Sequence, residues 1–275
     1  MRLRRVLVAT DLSEGAGAAV RRAANLAAAH GAELTVLSVL PPSLAQDLST
    51  FAGHAFDSHV ATHAPAWADV RLRTGPVSGT ILAEAADLAA DLLVLGANGD
   101  RGFAGAFVGH TTANVAHASG CPVLVVRTPV NDASDYATVL LAVDDSDEAR
   151  RAAEFGMALT PSAVHIVAHV SVVIGEHLLR LRGLGESDID DLREASLAEI
   201  RPRIEAFAAR LDPRPDTVVV GPGTPQRALP ELASRYLADL VVTGSGSSTR
   251  FERVLLGGVA QSVLRHVRSD VLIVR

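Results

Sequence analysis

The chain repeats itself, and no other feature of the sequence limits its fold so strongly. The run Arg5-Val6-Leu7-Val8-Ala9-Thr10-Asp11-Leu12-Ser13 returns as Thr138-Val139-Leu140-Leu141-Ala142-Val143-Asp144-Asp145-Ser146. Further on, Gly75, Asp91, Gly96 and Gly109 return as Gly223, Asp239, Gly244 and Gly257, each 148 positions later. The offset is only 133 at Asp11 and Asp144, so the second copy has gained about fifteen residues. The polar stretch Gly175–Asp190, ahead of a helical pattern from Leu192 to Leu211, is the expected place. Two units therefore share the 275 residues, 1–130 and 131–275. The segment Thr128–Tyr136, with Pro129, Asn131, Asp132 and Asp135, reads as their linker.

Each copy alternates strand and helix. In the first, strands are predicted at Val6–Ala9, Leu34–Leu40, Val70–Arg73, Leu92–Gly96 and Val123–Val126. They are short, apolar and rich in β-branched residues or Leu, as in a parallel sheet covered on both faces. Helical patterns at Gly17–His30 and Ser78–Ala90 lie between them. The expected fold is α/β: two tandem doubly wound domains, each a five-stranded parallel sheet flanked by helices. No run approaches the ~18 apolar residues of a membrane span. The apolar start is soon broken by Asp11, Ser13 and Glu14, so a cytoplasmic protein is expected.

Charge excludes several activities. The net charge is -6, against broad nucleic-acid binding. All 25 basic residues are Arg. Without a Lys there is no phosphate-loop NTPase, protein kinase or Schiff-base enzyme of the usual kind. The single Cys121, in an apolar run, reads as a buried, inert thiol.

The most informative motif is Gly96-Ala97-Asn98-Gly99, nine residues, then Gly109-His110-Thr111-Thr112. It follows a buried strand and precedes a helix. Glycines let a backbone approach phosphate closely, and free N–H groups at a helix start attract anions. Other candidates are weaker. Ser245–Thr249 lacks the Gly-x-Ser-x-Gly elbow of a hydrolase and reads as a loop. His59 and His63, spaced i, i+4, read as a solvated helix face rather than a metal site. His117 and His266 suit helix ends. Asp91 and Asp239 suit caps or turn braces, and Arg101 a solvated loop charge. Of Asp144 and Asp145, one position is read as a nucleoside contact rather than a magnesium pair.

This pattern of Gly, two residues, Gly, nine residues, Gly, then Ser or Thr resembles the ATP-binding signature of the universal stress protein family. The Asp closing the first strand, the Asp-Leu-Leu-Val-Leu-Gly strand and the Pro-Val-Leu-Val-Val strand resemble that family as well, in both halves. The resemblance implies a stress-response role and ATP as ligand, with or without magnesium. It implies that Asp11 and Ala9 meet the nucleoside and that Val39 lines the adenine. Gly96, Gly99, Gly109, His110 and Thr111 would hold the phosphates. His110 stands where the signature has a hydroxyl, although its ring N–H can still donate to phosphate. The second copy departs further, with Ser247 where the loop needs positive φ and Gly258 where the hydroxyl belongs. The first half is therefore expected to hold ATP, and the second to hold it far more weakly or not at all. With no general base beside the phosphates, any hydrolysis is expected to be slow. A nucleotide-independent scaffold acting through partner binding is the alternative. An adenine-nucleotide α-hydrolase would need Ser-Gly-Gly-x-Asp-Ser where Thr10–Gly15 stands. The resemblance also implies that the terminal strands Val123–Val126 and Val271–Val274 meet in an intramolecular pseudo-dimer, with a further homodimer open.

Overall fold

The computed structural model describes residues 3–97, 108–127, 135–173, 175, 176, 181, 182, 185–246 and 256–275, apart from the side chains of 44–51. The first half runs β1 (Arg5–Thr10), α1 (Glu14–His30), β2 (Glu33–Leu40), α2 (Pro42–His63), β3 (Asp69–Thr74), α3 (Val77–Asp87), β4 (Leu92–Gly96), α4 (His110–Ala118) and β5 (Val123–Val126). The second runs β6 (Thr138–Ala142), α5 (Asp147–Leu159), β7 (Val164–Ser171), α6 (Glu186–Ala209), β8 (Thr217–Pro222), α7 (Pro225–Arg235), β9 (Leu240–Gly244), α8 (Gly258–His266) and β10 (Asp270–Val274). Between β7 and α6 lie fourteen residues, 172–185, where the first half has only Pro41 between β2 and α2. The extra chain thus falls where the polar stretch predicts, and its last residues, 186–190, open α6.

All strands join one ten-stranded sheet, ordered β3-β2-β1-β4-β5-β10-β9-β6-β7-β8. Within each half the pairs are parallel. The halves join through β5 and β10, antiparallel, with Val271 opposite Val125, Leu272 opposite Leu124 and Ile273 opposite Val123. An apolar strand at an open edge is a liability, and here the two terminal strands cover each other, as the resemblance implies. The sheet is buried on both sides. One core face packs against α1, α2, α5 and α6 through Leu26, Phe56, Phe155 and Phe207. The other packs against α3, α4, α7 and α8 through Ile81, Val115, Leu229 and Val263.

Short-range chemistry sets the element starts. Ser13 caps α1, its Oγ accepting from the Ala16 N–H at 3.2 Å, so the helix begins at Glu14, ahead of the apolar pattern. Asp91 Oδ2 accepts from the Arg4 and Arg5 N–H groups at 2.8 and 2.9 Å. Asp239 Oδ2 accepts from Ala137 and Thr138, both at 2.9 Å. Each of these carboxylates ties the chain ahead of its half's first strand to the start of the fourth.

The junction repeats this symmetry. Arg127 donates to the Leu264 carbonyl at the end of α8, and Arg275, 148 positions on, donates to the His117 carbonyl at the end of α4. Cations at the negative end of a helix are favourable. One cluster breaks the symmetry. Asp270, fully buried, accepts from the Tyr136 hydroxyl at 2.7 Å and the Arg127 N–H at 2.8 Å, and lies 3.6 Å from Arg22 Nε. The Arg22 guanidinium sits 4.1 Å over the Tyr136 ring. Burial and the Asp270 carboxylate push the Tyr136 hydroxyl far above the ordinary phenol range. Among the described residues no helix is long and apolar enough to cross a membrane.

Candidate functional site

In the first half the strand order reverses between β1 and β4, the place where open α/β sheets form a crevice at the carboxyl ends of their strands. Ala9 lies between Leu37 of β2 and Leu95 of β4. Val39, two residues beyond Leu37, packs on the same core face as Ala9. Asp11 follows directly from β1 and is exposed. Its Oδ1 accepts from the Ser13 hydroxyl at 2.6 Å and the Ser13 N–H at 3.2 Å. Asp11 is therefore not the helix cap; it braces Ser13, which is. Its remaining oxygen is left for another donor. Leu12 between them adopts φ 68°, a left-handed conformation that costs a non-glycine residue about 1–2 kcal/mol.

The phosphate-side residues arrive from β4 and α4. The Gly109 N–H donates to the Ala97 carbonyl at 2.8 Å, and the Thr112 hydroxyl donates to the Gly96 carbonyl at 2.8 Å. Both therefore close the loop. The Gly109 amide, expected to serve phosphate, is engaged within the protein. The N–H groups left for an anion are those of the first turn of α4, at His110, Thr111 and Thr112. His110 is exposed, and its Nδ1 lies 3.0 Å from Asn114 Nδ2. Where Nδ1 accepts from that amide, Nε2 is the ring nitrogen left to donate outward. Gly99, Asn98 and Arg101 lie outside the described residues. The structure thus brings Ala9, Asp11, Val39, Gly96, Gly109, His110 and Thr111 to one edge of the sheet.

His59 and His63 are not on a solvated face. His59 is 8% exposed, and its Nε2 lies 2.9 Å from the Thr10 hydroxyl, beside Asp11. His63 Nδ1 lies 2.6 Å from Arg21 Nη1, and the two rings meet edge to face at 4.5 Å. A Cβ on Gly17 would stand 2.7 Å from His63 Nε2, so a side chain there would displace the ring from its present place. Helical spacing put both His on one face, but their partners Thr10 and Arg21 come from distant sequence. Among the described residues no group of His, Cys, Asp and Glu could hold a metal ion.

Burial holds His59 below its ordinary 6.5, helped by His63 and Arg21 and opposed by Asp11. Burial and Arg21 hold His63 down likewise, against Glu14. Burial also depresses His117 and His165. Below pH 6.5 the unfolded chain therefore takes up protons that the folded chain refuses, and stability falls with pH. The melting temperature is expected to drop between pH 7.5 and 5.5. His59→Gln should flatten that slope, and an equal slope in the variant would refute its cause.

The second half repeats the frame with different contents. Ser146 caps α5 and Asp144 braces it, at the same 2.6 and 3.2 Å as in the first half. Asp145, at φ 67°, turns away to Arg203, 2.9 Å distant. The Gly257 N–H donates to the Ser245 carbonyl at 2.7 Å. Gly246 has a positive φ, 72°; Ser247, the position expected to need one, lies outside the described residues. Here sequence reasoning missed Glu148. Its Oε1 accepts from the Ser245 hydroxyl at 2.6 Å and the Gly246 N–H at 3.0 Å. The matching position in the first half is Gly15, which has no side chain to offer.

The profile of the Universal stress protein family matches residues 2–127 and 135–275. A universal stress protein of Mycobacterium tuberculosis is 31% identical over 199 residues, covering 68% of this chain and 62% of that protein. The match thus spans about six-tenths of that relative's length. One from Mycolicibacterium smegmatis is 26% identical over 295 residues, covering 98% of this chain and 96% of the relative. The crystal structure of a universal stress protein from Archaeoglobus fulgidus superposes with a TM-score of 0.65 at 21% identity, covering 100% of this chain and 99% of that one.

Proposed function

The chain belongs to the universal stress protein family, and from that premise we propose that it is a nucleotide-binding protein of the stress response, with ATP held by its first half. The observation that carries this reading is the reversal of strand order between β1 and β4, where such sheets take ligands. Small residues lie there, Ala9, Gly15 and Gly96; the atoms nearest to a Cβ added to Gly96 would be backbone atoms of Gly15 and Ala16, at 3.5 Å or more. At one end stands an exposed carboxylate, Asp11, held in orientation by Ser13 and suited to accept from ribose hydroxyls. At the other end, the α4 N-terminus and the His110 Nε2–H supply donors for phosphate. Val39 and Ala9 offer apolar surface for a base. No cluster of described side chains would hold a magnesium ion; one arriving with ATP would supply charge neutralisation. The residues described here supply no base to activate water, so binding rather than hydrolysis is the proposed role. The units meet in the linker between β5 and β6, as the division at 130 and 131 proposes.

Calorimetric titration of the full chain with ATP tests the reading and should give one site per chain. Asp11→Asn keeps the bonds to Ser13 but loses the charge. It is expected to weaken ATP by about tenfold, a loss of one charge-assisted hydrogen bond, with the melting temperature close to that of the unaltered chain. A large fall in melting temperature at unchanged affinity would make Asp11 a folding residue instead. If no ATP binds at any pH between about 5.5 and 8, across the His titration range, the scaffold acting through partner binding becomes the better reading.

A further inference from the structure

We infer that Glu148 determines which half takes a phosphate: its carboxylate is the built-in occupant of the second crevice's anion position. This deepens the reading above and rests on it for the choice of ligand. Among the described residues at the start of the second loop, the Ser245 hydroxyl and the Gly246 N–H both donate to Glu148 Oε1. Ser245 is 3% exposed, so its hydroxyl depends on this carboxylate for an acceptor. The contact is also steric. A Cβ on Gly244 would lie 3.3 Å from Glu148 Cγ, whereas one on Gly96 would face only the backbone of Gly15 and Ala16.

The carboxylate stays there for local reasons. Glu148 lies in the first turn of α5, where negative charge is favoured. Arg275 is close enough that Glu148 counters the effect of burial on its guanidinium. A phosphate entering this crevice would have to displace a charged group from two short hydrogen bonds and then sit beside it. Gly15, in the same turn of α1, leaves the first crevice without that competitor. The difference operates whatever Ser247 and Gly258 contribute, because it acts on atoms ahead of both.

Amide spectra of the 15N-labelled full chain, titrated with ATP, test this directly. Thr111 reports on the first half and Gly246 on the second. In the unaltered chain Thr111 is expected to shift saturably and Gly246 to stay still. In Glu148→Ala, and separately in Glu148→Gly, Gly246 should shift saturably, and the calorimetric stoichiometry should rise from one toward two. A Gly246 amide that responds to ATP in the unaltered chain overturns the inference, even if neither variant folds. So does a Gly246 amide that stays still in both variants while their spectra remain native. A silent Thr111 in the unaltered chain would sink the first-half reading instead, and a Gly246 response in the variants would still uphold Glu148 as the occupant.

Discussion

Asp270→Ala is expected to destabilise the chain by about 3–5 kcal/mol, the cost of removing one partner of a buried ion pair. For a protein of this size that is a fall in melting temperature on the order of 5–10 °C. Asp270 is completely buried at the start of β10, the strand that joins the halves. It faces Arg22 of α1 in the first half, Tyr136 of the linker, and the Arg127 N–H at the end of β5. Its loss leaves the Arg22 guanidinium buried without this carboxylate and the Tyr136 hydroxyl without its acceptor. Asp270→Asn keeps the volume and an acceptor but removes the charge, so it should fall between the two. Tyr136→Phe alone removes one donor and should cost about 1 kcal/mol. In combination with Asp270→Ala it should add little, because the hydroxyl has already lost its partner. Thermal unfolding of the four variants beside the unaltered chain decides the matter. A loss under about 1 kcal/mol for Asp270→Ala would mean that water satisfies the cluster and that β5–β10 packing alone holds the junction.

The architecture was legible because the repeat carries its own register. Asp91 and Asp239 brace the same turn in both halves, and each is followed directly by an apolar strand, so position and role could be read together. The pairing of the terminal strands came from the family resemblance; the repeat added only that both are apolar and would need cover. What stayed hidden depends on contacts between distant residues. His59 and His63 show helical spacing, but spacing does not say which face is buried. Only Thr10 and Arg21, arriving from β1 and α1, make that interior acceptable to imidazoles. The Gly109 amide looked available because a glycine motif does not reveal that the Ala97 carbonyl turns back on it. Glu148 was visible opposite Gly15 in the repeat. It gained meaning only when the end of β9 was placed over the first turn of α5.

Gly15→Glu should therefore move the second half's occupant into the first and abolish ATP binding at ordinary concentrations. Gly15 and Glu148 hold the same place, two residues beyond cap serines that are braced by the same aspartate geometry. A glutamate there can reach over Gly96 as Glu148 reaches over Gly244 and put a negative charge where phosphate would approach; Ala97 has no hydroxyl to hold it, and the Ala97 N–H is already given to the Val126 carbonyl at 2.8 Å. A phosphate would lose one or two charge-assisted hydrogen bonds, each about 1.5–3 kcal/mol, and would meet a like charge. Taking roughly 3 kcal/mol in all, affinity falls by about 150-fold. The stability effect has the opposite sign. Gly15 is exposed in the first turn of α1, where Glu has the better helix propensity by up to about 1 kcal/mol and complements the helix end. Loss of binding together with an unchanged or raised melting temperature is thus the expected pair of results, and misfolding cannot produce it. Gly15→Gln separates charge from bulk: it fills the same space without the negative charge and should lose several-fold rather than 150-fold. If Gly15→Glu binds ATP within a factor of about three of the unaltered chain, less than 1 kcal/mol, phosphate does not pass through this part of the crevice. The asymmetry between the halves would then have to arise further along the loops.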